Sequence, residues 1–263
     1  MISVIMSVYN AEKYLSEAVD SILNQTYKNF EFIIVNDCST DNSFSILQEY
    51  EKRHNNIILI NNSQNMGLTK NLNLALKHAK GTYIARMDAD DISELDRFQR
   101  QVDFLDLHRS IDILGTFSKN IDENGNVTGS RSTPITHKAI MKILPKLSPL
   151  SHPTIMFRKE SLERIGFYND KYTTSQDYDM WFRASRAGLK FYNIPEFLLK
   201  YRMNDDYIGR KTFKFRWNDF KLRLEGYKNI NLPFYKYVYA LIPLVLGVIP
   251  GSVYLQLKKM DPR

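Results

Sequence analysis

Three carboxylates fall close together at Asp88-Ala-Asp90-Asp91, directly after the apolar segment Tyr83-Ile-Ala-Arg-Met87. Hard divalent cations such as Mg²⁺ and Mn²⁺ prefer carboxylate oxygens, and commonly take one or two of them together with water and substrate phosphates. The cluster therefore suits metal-assisted chemistry on a phosphate-bearing molecule, and the competing reading is a solvated turn that caps a helix. Asp37 ends a second apolar run and precedes Cys38-Ser-Thr-Asp41. Its carboxylate could point into a crevice and accept a hydrogen bond from a planar N–H such as that of uracil, while Asp41 caps the next helix. Tyr9 ends a third run and could lie against a base. Each of these groups, taken alone, could equally be structural.

These positions are set by alternating periods. Ile2 to Tyr9 is a short apolar strand, and Tyr14, Leu15, Ala18, Val19, Ile22 and Leu23 then repeat at helical spacing. Phe30 to Val35 is a second strand, followed by a helix carrying Phe44, Leu47 and Tyr50; Ile57 to Ile60 is a third. Leu68, Leu72, Leu76 and Ala79 mark another helical face that Gly81 ends, and Thr82 to Met87 is a fourth strand. Alternation of this kind predicts βαβ units, a mainly parallel covered sheet, and a ligand site beyond the carboxyl ends of its strands. Tyr9-Asn10, Asn36-Asp37 and the acidic cluster all fall at that edge.

The next hundred residues are less regular. A helix carries Leu95, Phe98, Val102 and Leu105, and Asp122-Glu-Asn-Gly-Asn126 reads as a turn between strands at Ile113 to Phe117 and near Val127. Pro134 to Pro149 reads as a connection with a short helix, and Thr154 to Phe157 as a strand. A helix from Gln176 to Ala187 precedes strands at Phe191 to Ile194 and Phe197 to Tyr201.

The chain has 263 residues, 43% hydrophobic and 25% charged, which excludes a disordered or fibrous protein. Its net charge of +7 is unevenly placed. Residues 200–263 hold 13 basic and 5 acidic side chains, a balance of +8, which leaves the body at −1. The single cysteine, Cys38, forms no internal disulfide, and the start lacks the basic and long apolar regions of a secretory signal, so a cytoplasmic protein is expected. In the basic region, Phe213, Trp217, Phe220 and Leu224 share one helical face among lysines and arginines. Tyr237 to Leu257 is a run of 21 uncharged residues broken by Pro243, Gly247, Pro250 and Gly251. Either a membrane span, a kinked segment within one leaflet, or a packed helical hairpin fits this pattern; membrane association is favoured over nucleic-acid binding.

In series, these motifs resemble the family 2 glycosyltransferases of the GT-A fold. The matching text is Ser3-Val-Ile-Met-Ser-Val-Tyr-Asn10, Tyr14-Leu15, Ser21-Ile-Leu-Asn-Gln-Thr-Tyr27, Phe30-Glu-Phe-Ile-Ile-Val-Asn-Asp-Cys-Ser-Thr-Asp41, Asn65-Met-Gly67, Asn71, Gly81-Thr-Tyr-Ile-Ala-Arg-Met-Asp-Ala-Asp-Asp91 and Gln176-Asp-Tyr-Asp-Met-Trp-Phe-Arg183. The resemblance implies an α/β GT-A domain over 1–199, with a nucleotide-binding half at 1–91 and an acceptor-binding half at 92–199, plus a basic and apolar tail at 200–263. It implies a nucleotide-sugar donor, a UDP-sugar, held by Ser7, Tyr9, Asn10, Asp37 and Asn65. Asp88 and Asp90 would form the metal and diphosphate site for Mn²⁺ or Mg²⁺, and Asp177 would be the general base of an inverting transfer. Lys70 and Arg86 could offset diphosphate charge or form surface pairs, and His152 could reach the acceptor or metal region or simply pack. Asp179 lies two residues from Asp177, diverges from it on a helix, and reads as structural. The acceptor implied is a glycan or polyprenyl-linked saccharide, at the cytoplasmic face of the membrane. Two departures stand out, Gln176 where relatives carry Glu, and Asn204 where they carry His. A haloacid-dehalogenase-like phosphatase, whose motif Asp88-Ala-Asp90 superficially matches, would need this motif on the first strand and Thr or Val where Ile92 stands. A non-catalytic membrane-bound binding protein is the other alternative.

Overall fold

The computed structural model describes residues 1–203 and 213–248. The strands are β1 (Ile2–Val8), β2 (Phe30–Asn36), β3 (Ile57–Asn61), β4 (Tyr83–Met87), β5 (Ile92–Ser93), β6 (Ile113–Ile121), β7 (Val127–Arg131), β8 (Met156–Arg158) and β9 (Phe191–Arg202). They form one sheet in the order β3-β2-β1-β4-β8-β6-β9-β5, with β7 paired to β6. The first half, β3 to β4, is wholly parallel, as the alternating pattern requires. Beyond β4 the sheet is mixed: β8 runs antiparallel to both β4 and β6, while β9 is parallel to β6.

Successive side chains of each strand enter opposite faces, and two apolar cores result. Ile5, Ile33 and Val35 face the core built with α3 (Leu68–His78), α7 (Gln176–Arg186) and α8 (Phe213–Asn229). Val4, Met6, Phe32 and Ile34 face the one built with α1 (Leu15–Leu23), α2 (Ser43–Arg53) and α4 (Arg97–Leu107). The amphipathic spacing read from the sequence is thus the spacing that covers the sheet. The connection over 134–149 contains α5 (His137–Ile143), and α6 (Lys159–Ile165) follows β8.

Three local readings change. The two late strands are halves of one, β9, and its register against β6 skips Pro195 and Glu196 between Ile194 and Phe197. Proline offers no ladder donor, so the strand bulges there and continues. Gly81 does not end α3, which stops at His78 with Ala79 extended. It is a close-approach position instead: a Cβ there would sit 2.5 Å from the Ser3 nitrogen and 2.7 Å from the Ile2 carbonyl carbon. Asn42 rather than Asp41 precedes α2, although Asp41 Oδ1 accepts the Ser43 amide at 2.9 Å within the same turn.

The described part of the C-terminal region is packed. Leu222, Tyr227 and Ala240 belong to the core that contains Trp181 and Phe182, so the charge boundary at 199/200 is not a packing boundary. Phe234–Leu241 forms a 3₁₀ segment and Ile242–Val248 forms α9. No helix among the described residues is long and apolar enough to cross a membrane. Asn204 and the second half of the uncharged run lie outside the described residues.

Because the atoms facing Gly81 are backbone, they cannot turn aside. Gly81→Ala is expected to lower stability by about 1–3 kcal/mol, read as a reduced urea midpoint with an unchanged slope.

Candidate functional site

The carboxyl ends of β1, β2 and β4 converge as expected. The Asp37 amide donates to the Val8 carbonyl at 2.8 Å, which binds the turns after β1 and β2 together. Asn10 stands at φ 48° and Cys38 at φ 58°, left-handed conformations that tighten both turns. The Asn10 amide donates to Ser39 Oγ at 3.1 Å, and Asn10 Oδ1 accepts the Thr40 amide at 2.8 Å. Tyr9 stays 51% exposed, so its side chain is open to a ligand.

Asp37 departs from the expectation that it points into an open crevice. It is buried, and its carboxylate accepts the amides of Met66 at 2.7 Å and Gly67 at 2.9 Å and the Asn62 side-chain amide at 3.0 Å. Asn65 donates from its side chain to the Asp37 carbonyl at 3.4 Å. Asn62 in turn donates to Asn71, which donates to Ser7 Oγ at 3.0 Å. Ser7, Asp37 and Asn65 are therefore joined in one polar network that holds the loop before α3. Lys70, on the first turn of α3, is exposed and makes no ion pair among the described residues.

At the end of β4, Asp88, Asp90 and Asp91 place a ligand atom each within 4.8 Å of one another. Arg86 is buried and not a surface residue; its guanidinium holds both oxygens of Asp88 in a bidentate pair. Burial and the Asp88 charge raise the Asp90 carboxyl to about 6. Asp91 is fully buried, and burial together with the charges of Asp88 and Asp90 pushes it well above the carboxylate range. One Asp91 oxygen accepts the Arg202 amide at 2.9 Å while the other, Oδ2, has no hydrogen-bond partner among the described residues. Crowded, partly neutralised carboxylates with an unpartnered buried oxygen fit a hard divalent cation, whose charge would relieve their repulsion.

The same loop is held from behind by Arg202 at the end of β9. Its Nε donates to the Asp90 carbonyl at 2.9 Å, Nη1 to the carbonyls of Asp122 and Glu123, and Nη2 to Glu17 at 2.5 Å. Arg202 does not stand out in the sequence as a site residue, whereas Asp91 is already part of the acidic cluster. Its only signal is an ionisable group at a strand end, Tyr201-Arg202.

Asp177 lies in the first turn of α7, after Ser175 in the left-handed region at φ 56°. Its Oδ2 accepts from Ser148 Oγ at 3.4 Å. Burial raises its carboxyl above the usual value, opposed by the Tyr178 backbone amide and by the charges of Arg86 and Arg131. The charges of Arg86, Asp177 and Asp88 all act on Tyr168, so the base candidate and the acidic cluster share one region. Asp179 instead pairs with Arg183 at 2.7 Å, as its divergence along the helix requires. His152 has its own partners: its Nε2 meets Tyr168 Oη at 2.7 Å, its ring packs on Trp181, and burial with the Arg86 charge holds it well below its usual value, hence neutral. Its ring contacts are with Tyr168 and Trp181.

Removing Asp88 would leave the Arg86 guanidinium buried and unpaired. Asp88→Ala is expected to cost on the order of 3 kcal/mol of stability, measured by denaturant unfolding, beyond any loss of activity.

Comparison with known proteins agrees with this geometry. A family model described as glycosyl transferase family 2 matches residues 3–166. The Bacillus subtilis (strain 168) protein EpsE is 36% identical over 255 residues, covering 96% of this chain and 91% of EpsE. The O-antigen biosynthesis glycosyltransferase WbnJ of Escherichia coli is 36% identical over 211 residues, 78% of this chain and 80% of WbnJ. Among solved structures, S. aureus TarS 1–349 in complex with UDP superposes with a TM-score of 0.70 at 22% identity, over 94% of this chain and 70% of that one. The mannosyltransferase PcManGT from Pyrobaculum calidifontis, in complex with GDP-Man and Mn²⁺, gives 0.64 at 18% identity, over 98% and 79%. The chain belongs to glycosyl transferase family 2 and has the GT-A fold of those structures.

Proposed function

We propose that this transferase moves a sugar from a nucleotide diphosphate donor, a UDP-sugar, to a hydroxyl of a glycan or polyprenyl-linked saccharide, inverting the anomeric carbon, in surface polysaccharide synthesis. The observation that carries this reading is the convergence of Asp88, Asp90 and Asp91 at the end of β4, in one region with Asp177. The exposed Tyr9 ring would stack on the base, and the network of Ser7, Asp37 and Asn65 would hold the loop beside it. Asn10 would shape the first turn, and Lys70 could approach the diphosphate from α3. The WbnJ name supports the polysaccharide setting, and the UDP-bound TarS structure supports the donor class.

Asp90 and Asp91, with Asp88 as support, would hold Mn²⁺ or Mg²⁺, which when bound supplies positive charge to the leaving diphosphate. Asp177 accepts the proton of the acceptor hydroxyl as that oxygen attacks the anomeric carbon. The bond from that carbon to the phosphate oxygen breaks, and the nucleoside diphosphate leaves with its electron pair. Attack from the face opposite the leaving group inverts the centre.

UDP release from a panel of UDP-sugars, with and without Mn²⁺, tests the reading. Asp90→Ala and Asp177→Asn should each lower release by about a thousandfold or more; near-normal release by either folded variant would remove its assigned role. A base acts only when ionised. Because Asp177 is raised, kcat/KM should fall with decreasing pH at a midpoint above the ordinary aspartate value of about 3.9, and a profile flat down to that value would contradict the assignment.

Residues 1–199 would carry the reaction and 200–263 would attach the protein to the cytoplasmic membrane face. Phe234, Val238, Leu241 and Val245, at spacings of four, three and four, are all at least 45% exposed, as are Tyr235 and Phe213. Lys214, Lys221 and Lys236 lie among these residues in sequence, so the region suits an anionic interface. Phe234→Glu with Val238→Glu should weaken sedimentation with phosphatidylglycerol vesicles about tenfold or more. A wild-type chain that ignores these vesicles would refute attachment.

A further inference from the structure

Asp177 and Trp181 are one turn apart on α7 and project toward the same loop residue, Ser148. The Trp181 indole Nε1 donates to Ser148 Oγ at 3.1 Å, and Ser148 Oγ donates to Asp177 Oδ2 at 3.4 Å. Indole nitrogen is only a donor and an ionised carboxylate only an acceptor, so the hydroxyl between them has a fixed polarity. The other acceptor within reach, the Leu150 carbonyl, lies at 3.5 Å and is uncharged, so an ionised Asp177 is the stronger partner.

The loop that carries Ser148 is itself clamped. Tyr178 Oη donates to the Leu144 carbonyl at 2.5 Å, Arg223 Nη1 to the Lys146 carbonyl at 2.8 Å, Tyr227 Oη to the Pro145 carbonyl, and Arg131 Nη2 to the Ser148 carbonyl at 3.4 Å. Trp181 and Tyr227 are fully buried. Anchored on three sides, Ser148 meets the carboxylate in one place.

We propose that Ser148, oriented by Trp181, is a positioning residue that fixes the carboxylate of Asp177 toward the acceptor hydroxyl. The proposal rests on the reading of Asp177 as the base. The charged and titratable groups facing Asp177 are Arg86 from β4, Arg131 from β7, Tyr168 after α6 and Tyr178 on its own helix. None of these changes when Ser148 is replaced, so the hydroxyl can be tested alone.

The test follows the ¹³C carboxyl titration of aspartate-labelled protein, with the Asp177 signal assigned by its loss in Asp177→Asn. Ser148→Ala removes a donor that favours the ionised form, so the Asp177 midpoint should move to higher pH by about one unit, whereas Ser148→Thr should keep the wild-type midpoint. Trp181→Phe leaves the hydroxyl in place without its orienting donor, and should move the midpoint in the same direction by less. On the UDP-sugar that the panel identifies, Ser148→Ala should lower kcat about tenfold below the shifted midpoint and leave KM for the donor unchanged. An Asp177 midpoint that stays put in both Ser148→Ala and Trp181→Phe overturns the proposal. Undiminished UDP release by Asp177→Asn would instead remove the base reading beneath it.

Discussion

The guanidinium of Arg86 is the interaction on which the acidic edge depends. Asp88, Asp90 and Asp91 crowd one strand end, and two of the three are already pushed toward their neutral forms by burial and mutual repulsion. Arg86, buried in β4, neutralises Asp88 through both oxygens. Its charge also reaches Asp177 on α7, Tyr168 after α6 and His152 before β8. One cation therefore acts on both the acidic cluster and the proposed base. It lowers the cost of ionising the base candidate, and it adds to the burial that keeps the nearby imidazole uncharged.

This region lies where the two halves of the sheet meet. The parallel half brings the ends of β1, β2 and β4 together and so positions the proposed nucleotide side. The mixed half begins at β8, which pairs with β4, and returns through β9 to the acidic loop by way of Arg202. The bulge at Pro195-Glu196 lets β9 keep pairing with β6 as far as Ile121, and its last residue then reaches Asp90, Asp91 and the turn after β6. A strand that stopped at Pro195 would leave the Asp90 carbonyl and the Asp91 carboxylate without those partners.

The parts legible in the sequence are those governed by local period. Ile2 to Met87 alternates strand and helix strongly enough that β1 to β4, and the three polar turns at their ends, follow from spacing alone. What was not legible depends on contacts between distant residues. Gly81 reads as a helix stop because nothing local shows that the backbone of Ser3 lies where its Cβ would be, 2.5 Å from that position. Asp37 looked like a free carboxylate because the amides that fill it belong to Met66 and Gly67. Arg202 and Ser148 were invisible as site residues, since each acquires its role only when strand or loop is brought to the acidic edge or to α7. The basic region read as an appendage by charge, yet Gly226 packs on Phe182 so closely that a Cβ would lie 2.4 Å from its ring.

This close packing changes how the basic charge is presented. On a loose tether, each lysine that met an anionic surface would have to give up conformational freedom, which offsets part of the attraction. On α8 and the segment after it, the backbone is already ordered by Leu222, Tyr227 and Ala240 in the central core. Lys214, Lys221, Lys228 and Lys236 therefore project from a preformed scaffold, and contact with a charged surface immobilises little beyond their side chains.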